Sequence, residues 1–129
     1  MKKQILIWAS IFGLIAVVLG AFGAHSLKEI VSANMLNTWQ TGVQYQFYHT
    51  FALLFLSALS DSKPKYIKLS FYSFVIGILL FSGSLYLITL KDFLGAPWLK
   101  YVGPITPIGG LFFMVGWLGI LWSAIKTDK

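Results

Sequence analysis

Cysteine is absent from this chain of 129 residues. That excludes disulfides, thiolate metal sites and cysteine nucleophiles, and it leaves the redox compartment open. Arginine is absent too, so all ten cations are lysine. Charge of either sign is scarce: 11% of residues are charged, against about 25% in an ordinary soluble domain. Such a chain cannot cover a globule with solvated groups. What it has in abundance is apolar, with 57% hydrophobic residues, so lipid is expected to be the solvent for much of its surface. The length suits one compact unit rather than two, and residues 1–129 read as a single integral membrane domain. The formal net charge of +6 does not indicate nucleic-acid binding. The lysines lie in short clusters outside the apolar runs, which leaves no soluble basic surface for a nucleic-acid footprint. They read as topology signals facing lipid headgroups.

Four apolar runs stand out, at Ile5–Ala24, Val43–Ser60, Leu69–Leu90 and Ile105–Ile125, and none has a charged residue in its interior. Each approaches or exceeds the ~20 residues that cross ~30 Å of hydrocarbon as a helix. Backbone groups in lipid must be satisfied within the segment, so the runs are expected to be helical. The first run, preceded by Lys2 and Lys3 and ending in Ala21-Phe22-Gly23-Ala24, has some features of a secretory signal peptide. Its apolar stretch exceeds the ~7–15 residues usual there, and three more runs follow, so a retained first span is expected. The fold class read from this pattern is all-α: a four-transmembrane-helix bundle.

Even-numbered crossings place both termini and the loop between the second and third spans on one side. Lys2, Lys3, Lys63, Lys65, Lys68, Lys126 and Lys129 lie there, against Lys28, Lys91 and Lys100 on the other side. Seven lysines against three favour cytoplasmic termini. The short loop Asp61-Ser62-Lys63-Pro64-Lys65 predicts that the second and third helices are antiparallel neighbours. The outer connection, Ser26–Thr41, opens with Ser26-Leu27-Lys28-Glu29, a capping-box pattern. Leu27, Ile30 and Val31 follow at helical spacing, which predicts a short amphipathic helix at the outer surface after the first span. Thr106 and Pro107 suit the cap and first position of the fourth helix.

Four segments concentrate small and polar residues. Gly20-Ala21-Phe22-Gly23-Ala24-His25 ends the first span, and its glycines allow close helix approach. Gln44-Tyr45-Gln46-Phe47-Tyr48-His49 opens the second. Tyr45 and His49 share a helical face there, Tyr48 neighbours it, and Gln44 overlaps with Tyr48. A histidine at membrane depth is costly unless paired, so this segment is either a proton-handling or ligand site around His49 or interhelical hydrogen bonding. Phe81-Ser82-Gly83-Ser84-Leu85-Tyr86 and Gly103-Pro104-Ile105-Thr106-Pro107-Ile108-Gly109-Gly110 complete the set, with Gly116 one heptad beyond Gly109. By the topology above all four fall toward the outer side, which predicts a tightly packed, partly polar cluster there. The candidate polar or ligand-binding residues are His49, Tyr45, Tyr48, Gln44 and His25. The candidate helix-packing residues are Gly20, Gly23, Gly83, Gly109, Gly110 and Gly116. His25 and Glu29 at a four-residue spacing supply too few ligands for a metal site, so neither metal nor cofactor is expected.

The same four segments, in the same order along nearly the whole chain, resemble the YwdK/YgdD-type family of small bacterial integral membrane proteins. That family is also called domain of unknown function 423, or UPF0382-like, and has animal relatives. The resemblance implies a four-helix inner-membrane protein and brings no activity, cofactor or catalytic residue with it.

Three function classes remain. A non-enzymatic membrane component, such as an assembly or envelope-maintenance partner, fits the packing motifs and the lack of a catalytic set. An oligomeric transporter or channel for a small solute, proton or lipid would normally show intramembrane charge. Only His49 and tyrosines are ionisable within the runs. An intramembrane enzyme would need His25, Glu29 and His49 to assemble, and no nucleophile–base–orienter set is legible. The expected partners are the lipid bilayer and either a second copy or another membrane protein.

Overall fold

The computed structural model describes residues 1–61 and 64–126. The topology signals Lys63 and Lys129, and Ser62 of the short loop, lie outside the described residues. Among those described, all regular structure is helical. The helices are α1 (Lys2–Ala24), α2 (Ala33–Ala58), α3 (Pro64–Gly77), α4 (Gly83–Leu90) and α5 (Ile105–Ile125). A five-residue π turn, Ile78–Ser82, joins α3 to α4 without a break, so the chain forms four long rods. The fourth begins after an irregular connection that contains a six-residue 3-10 segment, Pro97–Val102.

The rods alternate in direction. Leu19 of α1 meets Trp39 of α2, while Ile5 of α1 shares a core with Leu56. Ser82 and Tyr86 meet Gly42 and Gln46 near the start of α2, while Phe74 lies against His49 further along. Ser84 pairs with Thr106, and Ser70 with Gly116. These pairings order the layer: α1 packs along α2, α2 along the α3–π–α4 rod, and that rod along α5. Ile5, Ala9, Phe12, Ala16 and Gly23 are buried on α1, a 3–4 spacing that makes one seam. The remaining faces of α1 expose Leu14, Val17 and Val18, as expected of a helix whose solvent is lipid.

Three helical segments are long and apolar enough to cross a membrane: Lys2–Glu29, Pro64–Leu90 and Pro97–Ile125. Where the sequence reading expects four such spans, length and composition give three, and the second, Val43–Ser60, is the one not met. α2 has 26 residues and is long enough, but it is not among those three. Its N-terminal half carries Asn34, Asn37, Thr38, Gln40, Thr41 and Gln44, and Gln46, His49 and Thr50 follow just beyond the midpoint. The helix starts at Ala33, ten residues before the apolar run at Val43, because Ser32 is its cap: an extended residue whose hydroxyl accepts the Met35 N–H at 3.2 Å. An apolar run marks what is buried or in lipid, whereas a cap marks where helix begins.

The expected outer interfacial helix is not found. Only a three-residue 3-10 turn, Leu27–Glu29, follows α1, and Ser26 makes no side-chain capping bond. Leu27 is fully buried beneath Trp39 and Val43, so the apolar residue read as membrane-facing is a plug at the end of the bundle. At the fourth rod the helix begins at Ile105, one residue before the expected cap. The Thr106 hydroxyl bonds Ser84 instead, at 2.6 Å.

Candidate functional site

Three of the four small-and-polar segments, at Gly20–His25, Ser82–Tyr86 and Thr106–Gly110, gather toward the end of the bundle away from Met1, whereas Gln44–His49 lies about midway along the rods, with Gln46 against Phe12 and His49 against Phe74 and Phe113. Two apolar clusters sandwich the junction. One, larger, is built on Ile5, Phe12, Leu53, Leu56, Phe71 and Phe74, and the other on Leu27, Trp39 and Val43. Between them lies Gln46, which is 2% exposed. Its amide Nε2 donates to the Phe12 carbonyl of α1 at 2.8 Å. Its Oε1 accepts from the Tyr86 hydroxyl of α4 at 2.7 Å. One side chain thus ties three rods. Nearby, Ser82 of the π turn donates to the Gly42 carbonyl at 2.7 Å, and Trp39 Nε1 donates to the Leu19 carbonyl at 2.9 Å. In lipid these bonds do what the hydrophobic effect does in water: they choose which helix faces meet.

His49 sits one turn deeper and is also buried. Its Nδ1 lies 2.7 Å from the Tyr45 carbonyl, and Trp117 Nε1 points at its Nε2 from 3.2 Å. A carbonyl only accepts and an indole N–H only donates. The neutral Nδ1–H tautomer is therefore the one form that serves both. The ring stacks flat on Phe113, with centroids 3.5 Å apart and planes 3° from parallel. Phe113 also meets Phe81, which stacks with Tyr45 at 4.5 Å. The imidazole is enclosed by aromatic rings with both nitrogens engaged.

The other polar candidates lie elsewhere. Tyr45 is the exception, lending His49 its carbonyl and stacking its partly exposed ring on Phe81, while Tyr48 and Gln44 are exposed on the outward side of α2. His25 is exposed at the end of α1, where its Nδ1 lies 2.9 Å from the Ala21 carbonyl, a helix-end cap. Glu29 is in the separate 3-10 turn. No group of three metal-ligating side chains occurs among the described residues. Gln46 is the residue that sequence reasoning passed over. The signal was available, since Trp39, Val43, Gln46, Thr50, Leu53 and Ser57 fall at alternating steps of four and three and are all buried, and Gln44 is off that stripe.

The glycines divide into three groups. A Cβ on Gly109 would run into the Phe81 backbone, reaching 2.8 Å from its Cα, and one on Gly116 would meet the Phe74 ring at 2.5 Å. At Gly23 it would meet the Trp39 indole at 2.7 Å. Gly20 and Gly110 have only ordinary contacts at 3.5 and 4.0 Å, and Gly83 has open space. The π turn lies where the backbones come closest. Its extra residue brings Phe81 against Gly109, and such turns recur where a helix must be re-registered. Surface grooves occur along α1 at Lys3, Leu6 and Ser10, and between α3 and α5 at Tyr66, Leu69, Gly119 and Trp122. They are shallow and apolar-lined, and they do not reach Gln46 or His49.

Fold and interior together define a multi-pass, all-α membrane protein whose polar residues join helices. The comparisons give the family. Residues 19–110 match the family model described as "Protein of unknown function (DUF423)", and the chain belongs to that family. It is 42% identical to the UPF0382 membrane protein of Haemophilus influenzae, over 100% of this chain and 99% of that one. It is 39% identical to the UPF0382 inner membrane protein YgdD of Escherichia coli, over 99% and 94% of the two chains. It is 37% identical to the UPF0382 membrane protein YwdK of Bacillus subtilis, over 96% and 98%. No solved structure matches significantly.

Proposed function

We propose that this protein is a non-enzymatic component of the bacterial inner membrane, an assembly or envelope-maintenance partner that works by lateral association through the outward face of α2. In this reading all four rods cross the bilayer, with both termini cytoplasmic, and α2 is the span whose polarity is shared between two interfaces. The observation that carries the proposal is how α2 divides its polar side chains. Gln46, His49, Thr50 and Ser57 point inward and are bonded within the chain. Gln40, Gln44 and Tyr48 point outward from the bundle. Polar groups facing lipid at membrane depth are costly unless they find a partner, so the outward set calls for a protein neighbour. Transport through a single copy is not supported, because the interior donors and acceptors at Gln46, Tyr86, Ser82 and His49 bond one another or nearby carbonyls.

The test is photo-crosslinking in native membranes. A photoreactive phenylalanine analogue replaces Tyr48, with Leu14, 68% exposed on α1, as the lipid-facing control. A discrete protein adduct is expected from position 48 and none from position 14. No protein adduct at 48, or the same diffuse adducts at both, overturns the proposal.

A further inference from the structure

Resting on that association reading, we infer that the occupant of the α2 face is a second copy of this chain, docked α2 against α2 about a two-fold axis along the membrane normal, with Gln44 of one copy hydrogen-bonded to Gln44 of the other.

The outward face is a seam. Asn37, Thr41, Gln44, Tyr48, Phe51 and Phe55 follow one another at steps of four, three, four, three and four. This is the 3.5-residue repeat that keeps one helix face against a neighbouring helix over its whole length. All are exposed except Thr41, which is half-buried, and Phe51 and Phe55 are 60% and 57% exposed. Exposed Ile7, Ile11, Leu14 and Val18 repeat this spacing on α1, but all four are apolar, whereas the α2 face carries the carboxamide of Gln44.

Depth makes Gln44 decisive. Asp61, Lys65 and Lys68 mark the water boundary just beyond the end of α2. Gln44 is fourteen residues above Ala58, about 21 Å along the helix, inside a hydrocarbon layer of ~30 Å. From the other side, Gly42, two residues nearer the outer end than Gln44, meets Ser82, and Ser82 precedes the boundary residue Lys91 by nine residues, about 13.5 Å. Both measures put its amide beneath the headgroups. That amide makes no hydrogen bond among the described residues and is exposed.

Self-complementarity names the partner. Two copies inserted with the same topology and related by a two-fold along the normal run α2 and its mate parallel and in register. Each seam residue then meets its own kind at the same depth. A carboxamide is both donor and acceptor, so Gln44 satisfies Gln44, as a buried asparagine fixes register in a parallel coiled coil. Below it Tyr48, Phe51 and Phe55 stack against their equivalents. A lysine or glutamate in the seam would meet its own charge and forbid this arrangement, and the seam has neither.

The chain's lack of cysteine makes the test clean. Phe51→Cys leaves Gln44 in place and sets a lone thiol on the seam, and Leu14→Cys is the control. Oxidation in native membranes is expected to convert Phe51→Cys, and not Leu14→Cys, to a product of twice the 14.4 kDa chain mass. Adding Gln44→Leu is expected to lower the dimer yield roughly three- to eighteen-fold, the range for one membrane hydrogen bond. Circular dichroism of the purified variant checks that its helices are intact. No dimer from Phe51→Cys, equal dimer from Leu14→Cys, or a yield indifferent to Gln44→Leu overturns the inference. A position-48 photo-adduct of a different mass without the disulfide dimer overturns the second copy and leaves lateral association standing. Absence of both products removes the two together.

Discussion

Replacing Gln46 by leucine keeps the side chain's bulk and removes both of its hydrogen bonds, to Phe12 and to Tyr86. Bonds of this kind in membrane proteins are worth about 0.6 kcal/mol on average and up to about 1.7. The two together come to about 1–3 kcal/mol. Phe12 lies within α1, so its carbonyl keeps a helical N–H and is not orphaned. Tyr86→Phe alone strips only Gln46 Oε1 and should cost about 1–2 kcal/mol. The double variant removes both ends of the Gln46–Tyr86 bond and leaves an apolar contact of nearly the same shape. It is expected to lose only about 1 kcal/mol, less than Gln46→Leu by itself. The assay is reversible unfolding in mixed detergent micelles, followed by helical circular dichroism across all four proteins of the cycle. Independent losses that add within about 0.5 kcal/mol would show that Gln46 and Tyr86 do not act as a pair, and the polar junction described above would be wrong.

Gly109→Ala forces a methyl into the Phe81 backbone and is expected to cost about 1–3 kcal/mol. Gly83→Ala, with nothing within 4 Å of the added carbon, should be neutral or gain up to about 1 kcal/mol from helix propensity; the same micelle titration reads both, and equal effects would contradict the packing. His49→Phe retains a flat ring over Phe113 but removes the acceptor for Trp117. It should cost about 0.6–1.7 kcal/mol and shift the emission of a protein in which Trp117 is the sole tryptophan, whereas an unchanged spectrum would mean that the Trp117–His49 bond is not made. Ser82→Ala removes the π turn's bond to the Gly42 carbonyl and should lower stability by about as much as His49→Phe, checked by the same unfolding curves.

The apolar runs located three of the rods because lipid exposure and composition are the same fact for them: almost any outward residue must be apolar. The apolar run Ile105–Ile125 coincides with α5, although Thr106, expected as its cap, lies inside the helix. α2 was misjudged in extent for the opposite reason. Its first ten residues are helical and include five polar side chains, at Asn34, Asn37, Thr38, Gln40 and Thr41, and the helix start rests on Ser32 as a cap. The convergence of three of the small-and-polar segments was legible, because alternating spans bring matching ends together, but His49 lies further down, against Phe74 and Phe113. Which glutamine turned inward was not read from the motif, since Gln44 and Gln46 are neighbours in sequence and the choice depends on the phase of the whole stripe from Trp39 to Ser57. The π turn has no sequence signature of its own here. It exists because Phe81 must reach the Gly109 notch while Ser82 reaches Gly42, a tertiary demand.

The seam also bears on the transport alternative. A pore between copies would have to be polar along its length, since an ion or small polar solute is not held by hydrocarbon walls. The α2 face is polar only over its upper part, at Asn37, Thr41 and Gln44. Tyr48 follows, and then Phe51 and Phe55, exposed and apolar, close the lower half. A parallel dimer places those rings against one another, so the arrangement that best satisfies Gln44 also seals the route beneath it. The interior of each copy offers no substitute, because His49, the histidine at that depth, is held between Tyr45, Trp117 and the face of Phe113. Pairing of helices within the chain accounts for Gln46, His49, Thr50 and Ser57 of α2, and the proposed dimer would account for Gln44. Passage of a solute accounts for none of them without first breaking bonds that the fold already makes.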